Sequence, residues 1–380
     1  MDNYYDTALN ELNEYIDKHL SSYSKDRNYD FGPQNHTNVS MLSKYISHRI
    51  LNEYDVVKKV LEKHKFNKVE KFIQEVFWRV YWKGWLEHRP DVWHDYLRYD
   101  NSNVNKDDLE KAYSGCTDID CFNDWVSELE TTNYLHNHTR MWFASIWIFT
   151  LKLPWQLGAN FFLHHLYDGD SASNTLSWRW VAGLQTIGKN YLATSANIAK
   201  YTSGRLRPNN LIEDAEPIPV QKTYDINEIY FTNHKSDNNT LLIFDNNLDF
   251  QFINDIKNNY DKLYFIFLSS DHRSISLSEN VISFKKSIID DISSKFEGSV
   301  ILDSHDCISL LNSKSIDIIY PNIGDNLTFI NSHFKPGDIN FIYHEHDLAC
   351  WQFSKKGFFN FKKNIPDIVK KIEDTKDLFS

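Results

Sequence analysis

The hydrophobic periodicity of this chain changes once, and the change divides what its parts can fold into. Before about Asn209, stretches such as LNELNEYIDKHL, LSKYISHRILNEYDVVKKVLEKH, KFIQEVFWRVYWKGWLEH and CFNDWVSELETTNYL space their apolar residues three and four apart. That is the period of amphipathic helices, and no alternating run of comparable length competes with it. From Asn209 to about Asn239, prolines and acids in PNNLIEDAEPIPVQKTYD break the pattern and mark a linker. Short β-rich runs then appear at 241–245 (LLIFD), 263–268 (LYFIFL), 299–303 (SVILD), 316–320 (IDIIY) and 339–343 (INFIY). They alternate with helix-like segments near 249–259, 284–296, 306–313 and 325–333, which predicts βαβ units and a parallel, Rossmann-like sheet. The expected domains are therefore a helical one over 1–210, a linker over 211–238 and a smaller α/β domain over 239–380. No GxGxxG or GxxxxGK[ST] follows any of these strands, so neither standard phosphate loop is expected.

Composition sharpens the division. Ten of the eleven tryptophans lie between Trp78 and Trp180. Residues 1–210 are nearly balanced, with 24 Lys and Arg against 26 Asp and Glu, so most of the net charge of −11 belongs to the C-terminal part. Such a balance disfavours non-specific wrapping by nucleic acid but leaves room for a local basic groove in the first half. The longest apolar run, Met141–Phe149, is well short of the ~20 residues of a membrane span and reads as a core helix. The acidic N-terminus lacks the pattern of a secretion signal. Four cysteines form no disulfide framework, and Cys116 and Cys121 are too far apart for a CxxC pair. An intracellular, cytoplasmic protein with no membrane partner is expected.

The chemistry concentrates in 134–180. Asp168-Gly169-Asp170 and Asn174 form a polar cluster between apolar helices, followed by Trp178 and Trp180. A helix cap explains an aspartate there, and packing explains dense tryptophans. A metal site is not expected, because Asp168 and Asp170 lack supporting ligands at usual spacing.

Taken in order, four segments give a further reading. Tyr23-Ser-Lys-Asp-Arg27-Asn28 is similar to a YxxxRD/N entry segment, and Val39-Ser40-Met41-Leu42-Ser43-Lys44-Tyr45-Ile46 to TSxLSPYL. Glu75-Val-Phe-Trp78-Arg79-Val-Tyr81 is similar to ELIWREFY. His136-Asn137-His-Thr-Arg140-Met141, then Asp168-Gly-Asp170-Ser-Ala-Ser-Asn174 and Trp178-Arg-Trp180, are similar to HNRxRM, DGDLAxNN and WQW. Together these resemble the FAD-binding domain of the photolyase/cryptochrome superfamily over roughly residues 15–200, about half the chain. The fold it implies is an all-α, photolyase-type domain, here followed by the α/β domain.

The resemblance implies FAD as cofactor. It assigns Tyr23, Ser40, Met41, Leu42, Ser43, Arg79, Asn137, Arg140, Asp168, Asp170 and Asn174 to its binding. Hydroxyls and backbone amides would hold the phosphates, Arg79 would add a cation, and Arg140 would keep the aspartates ionised. Asn174 falls where the family faces flavin N5. An amide there resembles photolyases rather than plant cryptochromes, which carry aspartate. In photolyases that act on cyclobutane dimers, two tryptophans, a carboxyl, an asparagine and a methionine hold the flipped lesion. The matching residues are Trp78, Trp180, Glu75, Asn137 and Met141. Trp178 and Trp155 match two members of the family's electron-transfer chain, and Tyr96 or Tyr99 stands near the place of the third.

Several departures bear on these roles. Val39 replaces a threonine, Lys44 a proline, and Tyr113-Ser-Gly115-Cys-Thr117 is a degraded WxxGxTG. The chain starts at the flavin domain, without the family's usual N-terminal antenna domain, so a short photolyase-like branch is the grouping expected. The domain at 239–380 reads as antenna-like or structural, with no pigment specified and with Trp351, Phe358 and Phe359 expected in its core. The implied function is FAD-dependent, light-driven repair of cyclobutane pyrimidine dimers in UV-damaged DNA, a deoxyribodipyrimidine photolyase. The low positive charge makes single-stranded DNA a form to test. The alternative is a cryptochrome-like blue-light photoreceptor.

Overall fold

All five β-rich runs become strands of a single parallel sheet in the computed structural model, which describes residues 3–311 and 315–374. Residues 312 and 313 of the expected 306–313 segment, and 375–380 of the expected α/β domain, lie outside the described residues. The strands are β1 (Thr240–Phe244), β2 (Lys262–Phe267), β3 (Val300–Asp303), β4 (Ile316–Ile319) and β5 (Ile339–Ile342), in spatial order β3-β2-β1-β4-β5. That order doubles back at β1 and β4, as in doubly wound nucleotide-binding sheets. Every residue of β1 and β4 is buried, so both faces of the sheet are covered. One face packs Leu242, Phe244, Ile266, Ile316 and Ile318 against Phe329 and Ile330.

Among the described residues, only helices and connecting turns precede β1. The helices are α1 (Tyr4–Lys18), α2 (Tyr23–Asp26), α3 (Ser43–Ser47), α4 (Glu53–Lys63), α5 (Phe66–Glu87), α6 (Asp91–Leu97), α7 (Lys106–Tyr113), α8 (Asp120–Thr132), α9 (Asn137–Ser145), α10 (Trp155–His165), α11 (Ser171–Val181) and α12 (Ser195–Tyr201). With the sheet come α13 (Phe250–Ile256), α14 (Glu279–Ser294), α15 (Ser304–Leu311), α16 (Asp325–His333), α17 (Glu345–Trp351), α18 (Phe358–Lys362) and α19 (Ile365–Asp374). The expected linker, 211–238, holds no helix or strand. No helix among the described residues is long and apolar enough to cross a membrane.

Two compact units interleave along the chain. Unit 1 takes residues 1–21, 42–90 and 226–380; unit 2 takes 22–41 and 91–225. In unit 1 the helices of the first 90 residues join the sheet domain through buried charge. Glu53, fully buried, lies 3.0 Å from Lys83 and 3.9 Å from Arg49. Burial alone would raise its pKa, but Lys83 and Arg49 hold it down to about 2. Arg49 also pairs with Asp347 of α17, which accepts the Tyr54 hydroxyl. Buried ion pairs of this kind fix one arrangement because each charge left alone would be costly. At the end of α5, Glu87 accepts hydrogen bonds from the Tyr320 hydroxyl, Asn322 and the Ile323 amide. The switch point of the sheet is filled as well: Asp245, directly after β1, holds Arg273 at 2.9 Å and Lys285 at 3.1 Å.

Trp351 and Phe358 are buried in unit 1 as expected, but Phe359 is 79% exposed. Neighbours on a helix point about 100° apart; Phe358 and Phe361 share the buried side of α18, and Phe359 points away from it.

In unit 2 the apolar run from Met141 forms α9 and then a π-helical turn, Ile146–Thr150. The turn closes with the Leu151 amide donating to the Ile146 carbonyl at 2.9 Å. Single π turns inside helices are often found beside functional residues. Here Trp147 lies in the turn and is fully buried against Trp178.

Candidate functional site

The polar cluster of the sequence stands at the start of α11 in unit 2. Asp170 is the N-cap: its Oδ1 accepts the Ser173 amide at 2.8 Å. Asp168, two residues earlier and buried, forms an ion pair with Arg140 of α9 at 3.0 Å. The Arg140 Nε also donates to the Leu135 carbonyl at 2.9 Å, which fixes the guanidinium from the other side. Asn174, one turn into α11 and buried, donates through Nδ2 to the Ala159 carbonyl of α10 at 2.9 Å. One N–H of the amide is thereby used, and its second N–H and its oxygen remain for another partner.

Burial has left polar atoms here without hydrogen bonds. Among the described residues, Ser173 Oγ, Thr175 Oγ1 and Trp178 Nε1 find no partner. In unit 1 the same holds for Ser43 Oγ at the start of α3. Buried unsatisfied groups are few in natural proteins and call for a reason. A polar cofactor supplying acceptors would satisfy such groups, and the Ser173 and Thr175 hydroxyls of unit 2 fit the acceptors of FAD. Tyr23 opens α2 and is half-buried, as are Ser40 and Met41; Met41 adopts a left-handed φ of 57° before the buried Leu42.

Unit 1 carries Glu75, Trp78 and Arg79 on α5. Spacings of three and four put them on one helix face. Glu75 pairs with Lys71 at 3.1 Å. Trp78 is stacked flat on Phe358, with ring centroids 3.6 Å apart and 12° between planes. Nothing in the local sequence signals that partner from α18.

On α9 of unit 2, Asn137 is exposed and Met141 half-buried, one turn apart. Trp180 is half-buried on α11 and stacks on Tyr191 at 5.7 Å. The Tyr191 hydroxyl lies 3.1 Å from His138 Nε2, while the other ring nitrogen of His138 bonds the Asn28 carbonyl at 2.9 Å. Burial lowers the His138 pKa and takes that of His136 down to about 4, so both imidazoles are neutral at pH 7. His138 lies inside the 136–141 motif without a role of its own assigned there, and Tyr191 has no pattern around it in the sequence. The same is true of Asp30, which is buried between Thr139 at 2.9 Å and Arg205 at 3.0 Å.

The oxidisable aromatics form two groups. Trp178, 1% exposed, meets Trp147 edge-on at 6.2 Å and Phe162 at 5.0 Å. Trp155 opens α10 and stacks on Tyr96 at 5.3 Å; the Tyr96 hydroxyl donates to Asn160 at 2.5 Å. Of the two tyrosines expected near the third position, Tyr96 is the one against Trp155. Gly158, one turn along α10, makes the approach to Trp178 possible. A β-carbon there would lie 2.3 Å from Trp178 Cη2 and 3.0 Å from Trp147 Cε2. Alanine in a helix normally gains about 1 kcal/mol over glycine. Gly158→Ala is nevertheless expected to lose roughly 1–3 kcal/mol through overpacking, seen as a lowered Tm in thermal unfolding.

Part of the chain is similar to known proteins. Residues 72–204 match the FAD binding domain of DNA photolyase. The chain is 34% identical over 150 residues to a deoxyribodipyrimidine photo-lyase of Streptomyces griseus, covering 39% of this chain and 33% of that protein. It is 30% identical over 185 residues to the Agrobacterium fabrum protein of the same name, covering 46% and 37%. The alignments thus span little more than a third of these relatives' own length. Among solved structures, a bacterial class III photolyase from Agrobacterium tumefaciens aligns with a TM-score of 0.46 at 23% identity, covering 52% of this chain and 42% of that one. A Synechocystis cryptochrome aligns with a TM-score of 0.47 at 20% identity, covering 52% and 43%. The stretch 72–204 is thus similar to a photolyase-type FAD-binding domain, and the resemblance to the photolyase/cryptochrome superfamily rests on that stretch.

Proposed function

We propose that this protein is a light-driven DNA repair enzyme that splits cyclobutane pyrimidine dimers with FAD as cofactor. The observation that carries the reading is the arrangement at the start of α11. The Arg140–Asp168 pair and the buried amide of Asn174 stand there within the stretch that matches the FAD-binding domain. Reduced FAD, when bound, supplies the photoexcited electron; the protein positions the reactants and excludes water. Asp168, Asp170 and Arg140 would hold the cofactor's polar edges, and Asn174 would offer it an uncharged amide. Tyr23, Ser40, Met41, Leu42, Ser43, Arg79 and Asn137 complete the binding set.

Trp180 offers the flipped lesion a stacking face, and Met141 and Asn137 border it. Glu75 accepts a hydrogen bond from a base edge, and Trp78 adds a second aromatic surface. Trp178 and Trp155 would serve as the inner members of an electron-transfer chain toward the cofactor, with Tyr96 as the outer member. We take residues 1–210 as the flavin module, 211–238 as the linker and 239–380 as the antenna-like domain. The partner is UV-damaged DNA inside the cell, a place that four free thiols suit.

A second reading, a cryptochrome-like photoreceptor, is favoured by one observation: Phe358 already covers a face of Trp78. Paired substitutions separate the two readings. Glu75→Ala is expected to collapse repair and leave light-driven flavin reduction intact. Trp178→Phe is expected to remove most photoreduction of oxidised enzyme while chemically reduced enzyme still repairs. A Glu75→Ala variant with full repair rate would remove Glu75 from the lesion site, whereas flavin photoreduction without any repair by the unaltered protein would turn the assignment toward signalling.

A further inference from the structure

The carboxyl ends of β2 and β3 carry a cluster of side chains that the proposed repair chemistry does not use. Asp271 and His272 end the short turn Ser270–His272 that follows β2. His305 is the second residue of α15, which starts directly after β3. The two strands pair in parallel with Phe267 opposite Asp303, so the residues that follow them emerge side by side. One ligand atom from each of Asp271, His272 and His305 lies within 4.8 Å of the others. His305 Nε2 is 2.8 Å from Asp271 Oδ2, and His272 Nδ1 is 3.7 Å from Asp271 Oδ1.

The surroundings are those of a supported, open site. The side chain of His272 is only 17% exposed, while those of Asp271 and His305 are 58% and 59% exposed, which leaves one side to solvent. Ser304, fully buried, places its Oγ 2.8 Å from His272 Nδ1 and accepts the Ser269 amide at 3.0 Å. A hydrogen-bonded partner of this kind fixes ring orientation in metal-binding histidines. His333 of α16 stands edge-on to His272, with ring centroids 5.2 Å apart. Its Nδ1 is engaged by the Phe329 carbonyl at 2.9 Å.

We propose that Asp271, His272 and His305 form a site for a divalent transition metal of the zinc type, with His333 packed beside it. Imidazole with a single carboxylate suits Zn²⁺, Co²⁺ and Ni²⁺ and does not suit Mg²⁺ or Ca²⁺, which want several oxygens. Three protein ligands with an open position leave room for water. Sequence spacing conceals the cluster, because its members follow two different strands and meet only through the sheet register.

The test is calorimetric titration of the metal-free full chain with Zn²⁺ and, separately, Mg²⁺, alongside thermal unfolding with each. One equivalent of Zn²⁺ is expected to bind and raise Tm, since a ligand of the native state stabilises it, whereas Mg²⁺ should do neither. Asp271→Asn/His305→Ala, both on the surface, is expected to keep the metal-free Tm and to weaken Zn²⁺ binding by roughly tenfold or more. His272→Ala should likewise weaken Zn²⁺ binding, from the less exposed side. Absence of stoichiometric Zn²⁺ uptake, equal response to Mg²⁺, or uptake unchanged in the Asp271→Asn/His305→Ala variant would overturn the assignment. None of these readouts depends on light or repair.

Discussion

Asp168→Ala is expected to purify without flavin. The carboxylate is 3% exposed and pairs with Arg140 at 3.0 Å, so its removal both strands a guanidinium and deletes a cofactor contact. Breaking a fully buried pair costs about 3–5 kcal/mol; Arg140 keeps 22% exposure, so the loss of stability should fall below that range. The variant should therefore still fold, with native far-ultraviolet circular dichroism and a lowered Tm, while the visible flavin absorption disappears. Asp168→Asn keeps the shape and loses the charge, and should retain a fraction of the flavin. Normal flavin content in Asp168→Ala would remove this pair from the cofactor site.

Trp180→Ala is the second large effect. The ring is half-buried against Tyr191 and projects from α11 one turn beyond Ser177. Truncating an aromatic on which a base stacks costs about 1–3 kcal/mol, or roughly 5- to 150-fold in affinity. Binding of dimer-containing oligonucleotide, measured by fluorescence anisotropy at fixed salt, should weaken by that factor while bound flavin is unchanged. Trp180→Phe should recover much of it. Unaltered affinity in Trp180→Ala would mean the lesion does not stack there.

The strands were legible because each is a short β-rich run bounded by polar residues. The run read at 241–245 is β1 at 240–244, and that at 263–268 is β2 at 262–267. Capping was legible too: the aspartate read as a cap is Asp170, before Ser173. What local pattern cannot carry is a partner far away in the chain. Arg49 and Tyr54 meet Asp347, His88 meets the Trp351 carbonyl at 3.0 Å, and Glu87 meets Tyr320. These buried contacts draw residues 42–90 into the same compact unit as the sheet, although helical periodicity assigns them to the domain before it. The face of Trp78 taken by Phe358 and the pairing of Asp30 with Arg205 are hidden for the same reason. In the site itself, the order of motifs pointed to Asp168, Asp170 and Asn174. The carbonyl that Asn174 engages, and the glycine that lets Trp178 approach α10, emerge only from packing.

The direct test follows dimer content in one cuvette: purified protein with its flavin reduced, an oligonucleotide bearing a cyclobutane thymine dimer, and blue light against a dark control. Light-dependent, catalytic loss of dimers is the expected result. A flavin that is bound and photoreduced while the dimers remain intact in both single- and double-stranded DNA would contradict repair as the function of this chain.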